Sequence, residues 1–401
     1  MTGAGGGGRI AVVGAGLAGA RFAERYRELG GAAEVTLYGA EPRGPYNRVL
    51  LAEVLAGHYD PEAIALPYGR EVALRTGHEV WAVDLVRREL TLTGGQLAGF
   101  DTLVLATGAN PVLPTLRGLH GACGLKRGVH VFRTLADCAA LVEDAGRAER
   151  AVVIGGGVLG VSTARALAAL GLRVQIVHQG PHLIERQLDE AAGQAFGRAL
   201  AALGVVSHLR SRARALLGAD RVTGVQLVGG RTLEADLVVL ACGVRPRTGL
   251  AYASGLAVGN GVLVDDRLAA SAPGVYAIGD CAEHRGAVHG LAGPAWEQAE
   301  ALAAQLAGAP AGYTGSRPLA RLSAGPLEYA AFGEVGEEQP GTDVLRLADP
   351  TRGSYKKLVL RGDRLVGGIL LGDLATVGAL TRAYERDDPL PADPLSLLTV
   401  R

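Results

Sequence analysis

The glycine pattern G-x-G-x-x-G occurs twice in this chain, each time directly after a short apolar run. The first copy places Gly14, Gly16 and Gly19 after the apolar residues 10–13, and an amphipathic stretch follows over 17–29. In such a strand, turn and helix, the first glycine permits a tight turn and the second lets a pyrophosphate approach the backbone. The third lets the helix pack against the strand, and the helix N-terminus favours the phosphates. We therefore predict a dinucleotide-binding unit here.

A second copy of the pattern shows that the first is not a chance cluster of glycines. Gly155, Gly157 and Gly160 follow the apolar residues 151–154, and a helix over 161–170 and a strand over 173–177 are expected next. In both halves hairpin strands follow and end in Ala-x-Gly, at 106–108 and at 241–243. Recurrence in the same order about 140 residues apart predicts a duplicated domain.

The residue after the second strand of such a unit commonly hydrogen-bonds the ribose hydroxyls, and it is usually an acid. Glu41 follows the expected strand 34–38 and is the candidate in the first copy, the alternative being a solvated loop residue before Pro42. Arg48 follows a turn on the same side, where it could bind pyrophosphate or remain an ordinary surface arginine. His178 stands where the acid is expected in the second copy.

Small residues that end strands mark further positions where a ligand can approach the backbone. Thr107 and Gly108 end one expected strand, and Gly279 and Asp280 end another. Asp280 then lies at the carboxyl edge of the sheet, where such folds bind ligands. The alternative, a cap for the helix expected over 292–306, fails because that helix starts too far downstream.

The last part of the chain has a different pattern and carries no glycine fingerprint. Strands are expected over 319–323, 327–332, 344–347, 356–360 and 365–371, and a helix over 376–386. We predict an α/β fold with two Rossmann-like dinucleotide-binding domains, the second inserted in the first, plus a small C-terminal α+β domain. The expected boundaries are 1–115 and 246–312 for the first dinucleotide-binding domain, 116–245 for the second and 313–401 for the C-terminal domain.

Composition excludes several classes of function. Forty basic and forty acidic residues cancel, so no basic field favours nucleic acid or a membrane surface. No apolar run approaches the roughly 20 residues of a membrane helix, and residues 1–8 lack the apolar region of a signal peptide. The four cysteines are scattered, which argues against a redox disulfide, a zinc site or an iron–sulfur cluster. We expect no metal and a reducing, cytoplasmic location.

Together these motifs resemble the two-dinucleotide-binding-domain flavoproteins, which have the pyridine nucleotide–disulfide oxidoreductase fold. Segments at 45–51, 185–189, 243–246, 290–298, 355–358 and 372–373 resemble the FAD/NADH portion of assimilatory nitrite reductase large subunits. They resemble still more closely the electron-transfer subunits of assimilatory nitrate reductases. The similarity runs from about residue 9 to the end of the chain.

The resemblance implies two cofactor sites, with FAD in the first domain (1–115 and 246–312) and NAD(P)H in the second (116–245). FAD would contact Gly14, Gly16, Gly19, Glu41, Arg48, the Val80 backbone, Thr107, Gly108, Gly279 and Asp280, with Arg133 near the FAD-domain boundary. The nicotinamide dinucleotide would contact Gly155, Gly157, Gly160, His178 and Gly243. We expect NADH, with NADPH possible, because no arginine lies within a few residues of His178.

The chain also departs from several of these relatives. Those that reduce disulfides or peroxide carry a cysteine beside the flavin, and residues 45–60 contain none. Ferredoxin and rubredoxin reductases carry a Lys paired with a Glu on the second glycine helix, and Glu53 and Ser162 occupy those places here. Longer nitrite reductases continue into cysteine-rich modules, so we expect this chain, ending at Arg401, not to reduce nitrite by itself.

The function implied is electron transfer from NADH through FAD to a separate redox partner, a nitrate or nitrite reductase in nitrogen assimilation. Hydride transfer from nicotinamide to flavin needs positioning, not an acid or base, so we predict no catalytic residue. Two alternatives remain open: a ferredoxin or rubredoxin reductase in another pathway, and a flavin-binding redox sensor. The sequence does not determine the acceptor, the oligomeric state or the redox potential.

Overall fold

The computed structural model describes residues 8–122, 124–317, 319–324, 327–336, 340–349, 351–391 and 393–398. Cys123, Arg401 and nearly all of the segment 1–8 lie outside the described residues. Within the described residues no helix is both long and apolar enough to cross a membrane. The chain divides into two units, which are described separately below.

The first unit consists of residues 8–50, 60–110 and 244–316. With elements numbered along the chain, its helices are α1 (Leu17–Glu28), α6 (Gly249–Ala253) and α7 (Ala292–Leu306). Its strands are β1 (Arg9–Val13), β2 (Glu34–Gly39), β3 (Ala73–Thr76), β4 (Val80–Asp84), β5 (Glu89–Leu92), β6 (Leu97–Gly99), β7 (Thr102–Leu105), β8 (Ala109–Pro111, whose last residue passes into the second unit), β19 (Val244–Pro246), β20 (Val262–Val264), β21 (Val275–Ala277) and β22 (Ala282–His284).

A parallel sheet with strand order β21-β7-β1-β2-β3 forms the centre of the first unit. Side chains alternate between the two faces of a strand. Ile10 and Val12 of β1 therefore pack in the core shared with α1 and α7. Ala11 and Val13 pack in the opposite core, which contains residues of β4, β5 and β7. Burial on both faces explains why β1 reads as an uninterrupted apolar run.

The second unit consists of residues 51–59, 111–243 and the described part of 317–398. Its helices are α2 (Leu51–Leu55), α3 (Leu135–Ala145), α4 (Val158–Ala169), α5 (Glu190–Ala202) and α8 (Val377–Arg386). Its strands are β9 (His120–Gly121), β10 (Gly124–Leu125), β11 (Val129–Val131), β12 (Arg150–Ile154), β13 (Arg173–Val177), β14 (Val206–His208), β15 (Ala213–Leu217), β16 (Gly224–Leu227), β17 (Thr232–Glu234), β18 (Leu237–Leu240), β23 (Leu319–Ala324), β24 (Leu327–Gly333), β25 (Asp343–Asp349), β26 (Ser354–Arg361) and β27 (Arg364–Leu371).

The parallel sheet of the second unit repeats the topology of the first. Its strand order is β11-β18-β12-β13-β14. Strand β12, which precedes the glycines, lies between β13 and β18, just as β1 lies between β2 and β7 in the first unit. The sequence pattern 232–240 suggests one strand, but the structure divides it into β17 and β18. Asp236 at the break accepts hydrogen bonds from the backbone and guanidinium of Arg150, which ends the antiparallel pairing.

An antiparallel sheet, β23-β24-β27-β26-β25, follows within the same unit and packs against α5. Asp189 joins the two. Its carboxylate caps α5 by accepting from the Ala192 N–H at 2.9 Å, and it also accepts from the Tyr355 hydroxyl at 2.7 Å. The buried ammonium of Lys357 lies 3.2 Å from the same carboxylate. The two sequence segments 185–189 and 355–358 therefore meet in the structure.

Candidate functional site

Three glycines build the first loop, two of them in close contact with backbone and one with open surroundings. Gly14 has φ of +117°, and a side chain there would overlap the Ala106 carbonyl. Gly19 packs against Gly14 in the same way, so the helix touches the turn. Gly16 precedes α1 in extended backbone, and a Cβ there would meet no described atom within 4 Å. This open cradle at a helix N-terminus fits the pyrophosphate of a dinucleotide.

Glu41 and Arg48, predicted separately at the ribose and the pyrophosphate, form an ion pair. The Tyr46 hydroxyl also donates to the Glu41 carboxylate at 2.7 Å, and the Arg48 guanidinium lies 5.1 Å from the Tyr46 ring centroid. Each charged side chain is about one quarter exposed. The structure therefore holds a carboxylate just beyond β2 with two donors, and leaves it accessible.

The other residues predicted at FAD in the first unit lie mainly at the carboxyl ends of neighbouring strands. Thr107 and Gly108 follow β7, where the Thr107 hydroxyl donates to the Arg247 carbonyl at 2.8 Å. Gly279 and Asp280 follow β21, beside β7, and the Gly279 N–H donates to Gln298 at 2.7 Å. Val80 is different, because it opens β4 and is buried opposite Leu92 of β5.

The second glycine loop has nearly the same backbone as the first. Gly155 has φ of +115°, and a side chain there would overlap the Ala241 carbonyl. Gly160 packs on Gly155, and a Cβ at Gly157 would meet no described atom within 4 Å. The helix begins at Val158, three residues before the predicted start, because Gly157 is its N-cap and Gly160 lies in its first turn. Gly243, after β18, has φ of +94°.

His178 lies at the end of β13, as predicted, but its side chain is only 9% exposed. Its Nδ1 accepts a hydrogen bond from the Gly156 N–H at 3.2 Å. Burial lowers the pKa of this imidazole, opposed by the nearby Glu185 and by the His182 backbone, while the His182 charge lowers it further. A neutral imidazole that accepts at Nδ1 carries its proton on Nε2. His178 therefore stabilises the backbone of the glycine loop through this hydrogen bond.

Arg133 lies in the second unit, immediately before α3. Its N–H donates to the Asp137 carboxylate at 3.0 Å, within the capping box formed by Thr134 and Asp137. The residues that the resemblance assigns to FAD thus fall in both units.

Sequence reasoning missed an ion pair between α2 and α4. In the sequence, Glu53 and Ser162 replace both members of the Lys–Glu pair of ferredoxin and rubredoxin reductases. In the structure Glu53 binds Arg165, one turn beyond Ser162, and the two side chains are only 16% and 8% exposed. The helices are therefore joined by a pair of reversed polarity. Both residues are visible in the sequence, but their partnership depends on how α2 packs on α4.

The described cysteines are free and do not form a redox pair. Burial raises the pKa of Cys138 and of Cys242 to about 11, and it raises that of Cys281 as well. These thiols are therefore protonated at neutral pH and are poor nucleophiles. Among the described residues no group of His, Cys, Asp and Glu side chains is arranged to hold a metal ion.

Two parallel sheets with matching glycine loops define a class of protein that binds two dinucleotides on one chain. Comparison with known proteins gives the family. The model of the pyridine nucleotide-disulphide oxidoreductases matches residues 8–302, and that of the rubredoxin NAD+ reductase C-terminal domain matches 318–387. The chain belongs to the pyridine nucleotide-disulphide oxidoreductase family. The predicted fold class is confirmed.

Individual relatives agree with this assignment. The chain is 36% identical to the NAD(P)H nitrite reductase of Bacillus subtilis over 91% of its own length and 46% of the relative's. It is 34% identical to the assimilatory nitrate reductase electron transfer subunit of the same organism, over 91% and 48%. It spans about half the length of these relatives. The solved structure of putidaredoxin reductase covalently bound to putidaredoxin matches with a TM-score of 0.87 at 25% identity, over 98% of this chain and 96% of the reductase.

Proposed function

We propose that this protein takes electrons from NADH, passes them through FAD held at the first glycine loop, and delivers them to a redox-partner protein in the cytoplasm. The proposed partner is a nitrate or nitrite reductase component. The observation that carries the proposal is the pair of open glycine cradles at Gly16 and Gly157, since each suits one dinucleotide.

The residues present fit the roles that this reaction needs. When bound, FAD supplies the chemistry of hydride acceptance and stepwise electron release. The chain supplies binding and orientation: Gly16 leaves room for pyrophosphate, and Glu41, fixed by Tyr46 and Arg48, presents a carboxylate beyond β2. Hydride transfer depends on alignment and needs no proton donor, so we assign no acid, base or nucleophile.

The cysteines argue against a disulfide substrate. Reduction of a disulfide proceeds through attack by a thiolate, and burial keeps Cys138, Cys242 and Cys281 protonated. The sequence has no cysteine at 45–60, where disulfide-reducing relatives carry one. A protein acceptor fits better, and the names of the two Bacillus subtilis relatives support nitrate or nitrite reduction as the destination.

A second candidate is a reductase for a ferredoxin or rubredoxin. It is favoured by the match of residues 318–387 to the rubredoxin reductase C-terminal domain and by the similarity to putidaredoxin reductase. Against it stands the pair between α2 and α4, where Glu53 occupies the position at which those relatives carry lysine. A flavin-binding redox sensor is a third possibility, distinguished by slow turnover.

The deciding experiment mixes the FAD-loaded protein with NADH and one acceptor at a time. Ferricyanide should be reduced rapidly and glutathione disulfide should not. Addition of the cognate nitrate reductase should produce NADH oxidation that depends on nitrate. Rapid reduction of a ferredoxin or rubredoxin with no nitrate-dependent oxidation supports the second candidate instead. Failure to turn over with any acceptor supports the sensor.

A further inference from the structure

The segment between β13 and α5, residues 178–189, contains an acid that sequence spacing does not assign to the nucleotide site. His178 occupies the position after β13 where a ribose-binding acid is expected, yet it is buried and bonded to Gly156. Its Nε2 is buried and makes no hydrogen bond within the described residues. The nearest carboxylate oxygen is Oε2 of Glu185, 3.7 Å away.

The backbone holds Glu185 in this place. Ile184, immediately before it, donates its N–H to the Gly156 carbonyl at 2.9 Å, which ties the segment to the glycine loop. Ile184 is fully buried with φ of +55°, a conformation that β-branched residues rarely adopt. Such strain persists only where the surrounding structure enforces it, and it is concentrated at functional sites.

Gly180 provides the space for the carboxylate. A Cβ at Gly180 would overlap Glu185 Oε2 and would lie 2.7 Å from His178 Nε2. The carboxylate therefore lies against the backbone just beyond β13, while its side chain remains 36% exposed. A carboxylate that is positioned on one side and open on the other can accept hydrogen bonds from a ligand.

We propose that Glu185 is the carboxylate that binds the adenosine ribose hydroxyls of the nicotinamide dinucleotide, held in place by the backbone of residues 180–184. The inference rests on the proposed function, in that the second loop binds this cofactor. A carboxylate at the ribose repels a 2′-phosphate, so the site selects NADH over NADPH. The selecting acid thus lies seven residues beyond its usual place.

Two exposed arginines, Arg186 next to Glu185 in the chain and Arg210 next to Gly180, allow an alternative assignment. The Arg210 N–H donates to the Gly180 carbonyl at 3.0 Å, and its side chain is exposed. Sequence reasoning found no arginine close to His178, because Arg210 is brought there by the pairing of β13 with β14. If Arg210 contacts the adenosine ribose of the nucleotide, it favours a 2′-phosphate there and NADPH becomes the preferred substrate.

The test is the binding of NAD+ and NADP+ to the FAD-loaded full chain, measured by isothermal titration calorimetry. Glu185→Gln should weaken NAD+ binding about tenfold, equivalent to about 1.4 kcal/mol, and shift the NAD+/NADP+ affinity ratio toward NADP+. Gly180→Ala should have the same effect by displacing the carboxylate. Glu190→Gln, which removes the same charge from the first turn of α5, is the matched control and should leave the ratio unchanged.

Two results overturn the proposal. One is an affinity ratio that Glu185→Gln and Gly180→Ala both leave at the wild-type value. The other is a wild-type preference for NADP+ that Arg210→Gln abolishes, which assigns the ribose end to Arg210. Because calorimetry needs no electron acceptor, an incorrect acceptor in the proposed function leaves this test unaffected.

Discussion

The two glycine loops share a backbone and differ in their side chains. Gly14 and Gly155 have φ of +117° and +115°, and a side chain at either would overlap the carbonyl of an Ala-x-Gly turn. Beyond the second strand, the first loop has Glu41 fixed by Arg48, whereas the second has a buried His178 beside Glu185. The backbone common to both explains dinucleotide binding in general. The side chains that differ then determine which dinucleotide each loop accepts.

The largest effect is expected from glycines that the shared backbone requires. Gly14→Ala and Gly155→Ala place a Cβ into a carbonyl oxygen at strongly positive φ. Each should lower the free energy of unfolding of its unit by about 4 kcal/mol or more, measured by chemical denaturation. Gly16→Ala and Gly157→Ala are the controls, since their Cβ atoms meet no described atom. Equal losses in all four variants would show that the two kinds of glycine do not differ.

A smaller effect is expected at the helices that follow the loops. Arg165 on α4 is 8% exposed and binds Glu53, so Arg165→Met leaves a largely buried carboxylate with His58 as its remaining partner, at a cost of up to about 3 kcal/mol. Arg21 on α1 binds Glu300, and these two side chains are 34% and 45% exposed, respectively. Arg21→Met should cost at most about 1 kcal/mol. Thermal unfolding of both variants tests the contrast, which fails if Arg21→Met is the more damaging.

The smallest effect is the pH dependence that His178 contributes at the second loop. The folded-state pKa of His178 is depressed, chiefly by burial. The unfolded chain therefore binds a proton that the folded chain does not, and the free energy of unfolding falls as pH drops below about 6.5. The slope for one group cannot exceed about 1.4 kcal/mol per pH unit. His178→Asn should reduce the slope between pH 6.5 and 5, measured by urea denaturation. Parallel curves for wild type and variant would rule out this contribution.

Sequence patterns predicted the elements whose signals are local. The helix expected over 292–306 and the strand over 173–177 coincide with α7 and β13. Helix α3 was missed although Thr134 and Asp137 form a capping box that could have revealed it. Helix α5 is rich in Ala and Gly, and it is stabilised by distant partners: Phe196 packs edge-on against Tyr329, 6.0 Å between ring centroids.

The candidate site divides in the same way. The glycines follow from spacing, because each acts through its own backbone. The partners of Glu53, Glu185 and Arg210 do not, because their contacts depend on the packing of α2 on α4 and on the pairing of β13 with β14. The roles assigned to side chains at both loops are predictions, which cofactor-binding measurements on the variants test.

The most direct measurement concerns the division of labour between the loops, using Gly16→Val and Gly157→Val. Both positions have extended backbone, and a Cβ at either meets no described atom within 4 Å, so without FAD both variants should fold with the thermal stability of the FAD-free wild type. We expect Gly16→Val to be colourless but still to bind NAD+, and Gly157→Val to be yellow with FAD but not bleached by NADH under anaerobic conditions. A Gly157→Val protein that loses FAD, or a Gly16→Val protein that keeps it, would show that the first loop does not bind FAD separately from the second.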